Sequence, residues 1–208
     1  MGLNPLARVI VLSVVCLSAI CSAKASSYVH GRIYLRDGRV IECADGDRIR
    51  LPKRSGKAIF LKNAYTDLEE KEKFSAGQID SIVAWHPATP EHVRKFVPSE
   101  TPGWLWVYFE TPKVCVCIYS EKGYGIGANG GIEVLQWQGM IFRSRTAYCL
   151  RRAGEETFEV IGSANGISSE GFRRKLAEFV GDNPDLAERI LESRGRRDKT
   201  VMMLEDYQ

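Results

Sequence analysis

The sequence holds only three histidines, His30, His86 and His92, and almost no excess of charge, +3 at pH 7. Each shortage excludes something. There is no His-Glu-x-x-His string to seat a catalytic zinc and no Gly-x-Ser-x-Gly turn to present a nucleophilic serine. A near-neutral chain lacks the basic face that nucleic-acid binding demands, and it lacks strong attraction to anionic lipid. No segment approaches the 20 or so apolar residues that span a bilayer. Internal repeats and low-complexity stretches are also missing.

The longest apolar or small run, Val9 to Ile20, lies near the start. A short basic opening with Arg8 precedes it, and Ala23-Lys24-Ala25 follows. These three parts match a secretory signal peptide, with small residues where signal peptidase requires them. Cleavage is expected between Ala25 and Ser26, which makes the mature chain periplasmic or secreted. The alternative is a lipid anchor at Cys21, although Ile20 is larger than the residue that usually precedes a lipidated cysteine. Removal of residues 1–25 takes away Arg8 and Lys24 and no acid, so the remaining charge is close to balanced.

Four cysteines remain: Cys43, Cys115, Cys117 and Cys149. An even number in an oxidising compartment permits two disulfides in three connectivities. Pairing within Cys115-Val116-Cys117 strains the geometry, because both side chains leave one face of a strand. Cys43 or Cys149 joined to one of them is open. So is the reading in which all four are small buried thiols.

Alternation and turn chemistry give the fold class: mainly β (α+β), as antiparallel meander sheets or a barrel, with a C-terminal α-helical hairpin. Asp37-Gly38 and Asp45-Gly46 separate alternating runs, and residues 30–51 read as a three-stranded meander. Residues 58–62 and 78–85 read as further strands. The charged run 67–73 reads as a loop or one helical turn. Thr89 and Pro90 suit the start of a short helix through Phe96. Pro98 to Gly103 is the most plausible boundary, giving an N-terminal β region over 26–98 and a second region over 99–208. In the latter, strands are expected near 104–109, 114–119, 132–137, 140–150 and 157–161. Phe172, Leu176, Phe179 and Val180 share one helix face, with Ser169 as cap and Gly181 as stop. Asn183 and Pro184 open a second helix carrying Leu186, Ile190 and Leu191, and residues 194–199 read as a frayed tail.

Gly125-Ile126-Gly127-Ala128-Asn129-Gly130 formally matches a dinucleotide fingerprint, but that site needs a following helix, and a strand pattern follows instead. A glycine-rich β-turn fits better. His86, Glu91 and His92 do not have metal-ligand spacing. A thiol enzyme would need a histidine beside Cys115 or Cys117, and an apolar strand blunts both thiols. No cofactor and no metal are therefore expected. The aromatics Trp85, Trp104, Trp106, Tyr108, Tyr119, Tyr124 and Trp137 lie on or beside strands. Trp104, Trp106 and Tyr108 fall on one strand face by period two and could stack on a sugar or clasp a peptide, and Tyr124, among glycines, is expected to be the most exposed.

The signal peptide, Leu35-Arg36-Asp37-Gly38, the strand Ile79-Asp80-Ser81-Ile82-Val83-Ala84-Trp85-His86 and the Gly123-to-Gly131 turn resemble exported proteins of Gram-negative, gut-type anaerobes. The resemblance implies an envelope location and carries over no functional residue. The expected role is a non-catalytic binding or accessory module for an envelope protein or a glycan. The alternatives are a small periplasmic hydrolase or thiol enzyme, and a structural subunit of an envelope complex.

Overall fold

The computed structural model describes residues 28–51, 56–127, 131–134 and 145–208. The expected signal peptide, its Ala25–Ser26 cleavage site, Cys21 and Trp137 lie outside the described residues.

The chain is mostly antiparallel sheet. Strands β1 (Tyr28–Leu35), β2 (Val40–Glu42), β3 (Arg48–Arg50), β4 (Ala58–Lys62) and β5 (Glu70–Phe74) come first. Then follow β6 (Ile79–His86), β7 (Thr89–Val97), β8 (Leu105–Glu110), β9 (Val114–Ser120), β10 (Tyr124–Ile126), β11 (Ile132–Val134), β12 (Thr146–Arg152) and β13 (Glu159–Ser163). The main sheet runs β13-β12-β9-β8-β7-β6-β1-β3-β4-β5, with β2 beside β1. It curls but does not close, so the barrel alternative falls away. β7 pairs with β8 through Val97↔Leu105, so the sheet is continuous across Pro98–Gly103.

β1 organises the first half because it alternates strictly, burying Val29, Ile33 and Leu35 and turning Tyr28, His30, Arg32 and Tyr34 outward. Gly38 takes φ +87° in the β1–β2 turn, as the Asp-Gly signal requires. The meander expected over 30–51 is corrected in one respect: β3 pairs with β1, not with β2. Both short strands share one edge of β1, because Asp45-Gly46 redirects the chain toward the start of that strand.

Three further expectations are corrected. Residues 89–97 form a strand, not a helix; Phe96 and Val97 complete ladders with Ile82 and Leu105, and Pro90 lies beyond the stretch that pairs with β8. The charged run ends in the edge strand β5, where Glu70 to Lys73 stay exposed while Phe74 is buried. Charges on an edge strand discourage pairing with another chain. Finally, residues 197–202 form a helix with buried Thr200 and Val201 instead of fraying.

The helices are α1 (Glu170–Phe179), α2 (Pro184–Glu192) and α3 (Arg197–Met202). The Ser169 side chain accepts from Phe172 N–H, and the Asn183 side chain accepts from Leu186 N–H with Pro184 at the first position. Phe172, Leu176, Val180, Leu186 and Ile190 pack on Val114, Val116, Tyr148, Leu150 and Ile161 of the sheet. The predicted hairpin therefore lays its apolar stripe where expected, except that Leu191, read as inward on the second helix, is exposed. No helix among the described residues is long and apolar enough to cross a membrane.

Candidate functional site

Pairing fixes which side chains share a face, since directly opposed residues of antiparallel strands point the same way. One face, the inner one, carries Ile33, Ile82, Phe96, Trp106 and Ile118 in consecutive rows. Toward β1 it forms a core with Ile49, Phe60, Phe74, Trp104, Tyr124 and Ile132. Toward β12 it forms the core under the helices.

The three aromatics nominated for binding all belong to this inner core. Trp104 is 1% exposed and its indole N–H donates to Gly56 O, 2.8 Å. Tyr124 is also 1% exposed, which corrects the expectation that it projects into solvent. Its hydroxyl donates toward Ile118 O and Trp104 O, at 2.8 and 3.0 Å, and accepts from Trp106 N–H. Burial pushes that phenol well above its ordinary value. The β10–β11 hairpin folds its glycine-rich strand onto the core, so a position that reads as a turn tip becomes a structural pin. Trp106 is half-buried, and the Arg94 guanidinium lies 5.1 Å from its ring centre. The strand face expected to group Trp104, Trp106 and Tyr108 is broken by a bulge between Val107 and Phe109.

The outer face divides in two. Across β7, β8, β9 and β12 it is small and apolar: Val97, Leu105, Cys115, Cys117, Tyr119 and Cys149, covered by Phe158. Across β1, β2 and β6 it is half-exposed and mixed aromatic and polar. Here His30 opposes Trp85, while Arg32 opposes Val83 on one side and Glu42 on the other. The Arg32 guanidinium donates to Glu42 Oε1 at 2.8 Å and lies 5.9 Å from the Trp85 ring centre. Glu42, and less strongly Tyr34, favour the charged guanidinium of Arg32. Arg48 donates to His30 Nε2 and, at 2.6 Å, to Asp47 O. Burial, then the Arg48 charge, holds the His30 imidazole below its ordinary value, so it favours the neutral form.

At the far end of β1 the Tyr65 ring meets Tyr28 edge-on, with centres 6.1 Å apart. Tyr65 is 69% exposed and holds φ +71°, a conformation that costs a bulky residue about 1–3 kcal/mol. Buried Asp47 helps pin this loop: its carboxylate accepts from Ala44 N–H and Asn63 N–H, both at 3.0 Å. The strip from Tyr65 and Tyr28 past His30, Trp85, Arg32 and Glu42 to Tyr34 is thus a rigid aromatic and polar surface. It is roughly 20 Å long at the usual strand rise. Sequence reasoning missed it, although the outward phase of β1 was its signal.

Burial disfavours the thiolate at three of the four cysteines. Burial pushes Cys43 up to about 11 and Cys149 up to about 12, and it raises Cys117 strongly. The structure records all four as free thiols. Among the described residues, no group of three His, Cys, Asp or Glu side chains converges as metal ligands would. No family model matches the chain, nor does any curated protein or solved structure.

Proposed function

We propose that this chain is an exported envelope protein that binds a glycan through the outer face of β1, β2 and β6. One observation carries the reading: the half-exposed rings of Tyr28, Tyr34 and Trp85 share a rigid sheet face with Arg32, Glu42 and His30. Flat rings stack on the apolar faces of sugar rings, and charged donors and acceptors beside them take the hydroxyls. The strained, exposed Tyr65 supports the same reading, because backbone strain persists where the surroundings enforce it, often at ligand clamps. Export rests on the three-part N-terminal pattern alone.

The thiol-enzyme alternative draws no support from Cys117 and Cys149, which burial holds away from the thiolate form. The binding reading is tested by calorimetric titration of the purified protein with three probes: soluble peptidoglycan fragments, a neutral N-acetylhexosamine oligomer and an acidic oligosaccharide. Saturable binding to at least one is expected; no heat and no displacement with any of the three would contradict it. Intact mass checks the export reading: a chain starting at Ser26 supports it, and one starting at Met1 after secretion-competent expression overturns it.

A further inference from the structure

Three thiols crowd the outer face of β9 and β12, and their arrangement selects one bond. Cys117 stands directly opposite Cys149 in the antiparallel ladder, and both are fully buried. Opposed residues in such a ladder have Cα atoms about 4.5–5.5 Å apart, inside the span of a disulfide, and their Cβ vectors run side by side. Cys115 Sγ lies 3.6 Å from Cys117 Sγ, yet these two are next-but-one on a single strand, so a bond between them strains the backbone. Cys43 is partly buried against the separate core around β1.

We infer that Cys117 and Cys149 are the sites of a cross-strand disulfide, formed by exchange with a small-molecule or protein disulfide, and that Cys115 and Cys43 stay thiols. In the exchange, the thiolate of one cysteine attacks a donor sulfur and releases one donor thiol, leaving a mixed disulfide. The second thiolate attacks the chain's sulfur in that bond and expels the second donor thiol. The chain gives up two electrons and two protons; the donor disulfide becomes two thiols. Because both cysteines are fully buried in the cluster they share with Val97, Leu105 and Phe158, the exchange takes place as β12 docks on β9, and the finished bond is shielded from reductants while the chain stays folded. The bond ties together the two strands that carry the helical core on their opposite face. It also fastens the base of the excursion between Ser120 and Thr146, the last pair of that ladder.

The test uses the full chain, reduced and unfolded, then refolded in a glutathione buffer of defined oxidised fraction. This makes the result independent of whether the chain is exported. Alkylation in denaturant followed by peptide mapping should find Cys117 linked to Cys149, with Cys43 and Cys115 alkylated. Melting in the presence of a reductant, which reaches the bond as the chain opens, should then lower the melting temperature by roughly 5–10 °C. The double variant Cys117→Ala with Cys149→Ala should melt identically with and without reductant, whereas Cys115→Ala should keep the linkage. Recovery of the native sheet spectrum with Cys117 and Cys149 both alkylated would overturn the inference. A Cys115–Cys117 link, or any link through Cys43, would overturn it equally.

Discussion

The two faces of the central sheet are made of the same strands and do opposite things. The inner face is largely apolar from β1 to β13 and is covered by the β3–β5 end and the β10–β11 hairpin on one side and by the helices on the other. The outer face is apolar only where β8, β9 and β12 meet; across β1 and β6 it presents rings, charges and a histidine. The contrast teaches where selection for packing ends. A sheet face that needs no cover can afford Arg32, Glu42 and Trp85 in one row, and an antiparallel sheet tolerates this because one face alone supports the core.

The contrast can be broken most severely from inside. Leu176→Ala removes a fully buried side chain under the sheet and should cost about 3 kcal/mol in chemical denaturation, with lower melting temperature. Tyr124→Phe should cost about 1–3 kcal/mol, since it strips the partner from Trp106 N–H in a sealed site. Ser169→Ala should cost about 1 kcal/mol by uncapping α1. Arg32→Ala, on the outer face, should change stability by no more than about 0.5 kcal/mol, because its pair with Glu42 is solvent-exposed.

The smallest effect is electrostatic. The Tyr207 hydroxyl, then the Lys113 ammonium, hold the Asp182 carboxyl below its ordinary 3.8 and tie the C-terminal turn and the β8–β9 turn to the α1–α2 connection. A depressed folded-state pKa means that this stabilisation is present above 3.8 and is lost as the pH falls through the folded value. Wild type should therefore lose stability slightly more steeply on acidification below pH 4 than Asp182→Asn, a difference visible in paired urea melts.

Local signals predicted much of the inner face. Asp37-Gly38 closes its hairpin, and Ser169, Asn183 and Pro184 start their helices where the capping chemistry places them. What escaped depends on neighbours. Thr89-Pro90 carries a helix-start signature, but Phe96 and Val97 are claimed by ladders on both sides. Glu70 to Lys73 alternates charge with no apolar period, and becomes a strand because β4 offers it an edge. Tyr124 reads as exposed among glycines until the hairpin folds over the core. The outer strip was equally hidden: alternation marks Tyr28, His30, Arg32 and Tyr34 as one face of β1, but only the three-dimensional arrangement shows which face remains half-open and that Trp85 and Tyr65 join it.

If the outer strip binds the glycan while the inner face only packs, one paired titration separates the two. The glycan probe that binds wild type would be titrated into Trp85→Ala, from the outer strip, and Trp104→Phe, from the inner core. Affinity should fall about tenfold or more in Trp85→Ala with an unchanged melting temperature, and should be retained in Trp104→Phe despite a lower one. Unaltered affinity in Trp85→Ala would contradict it.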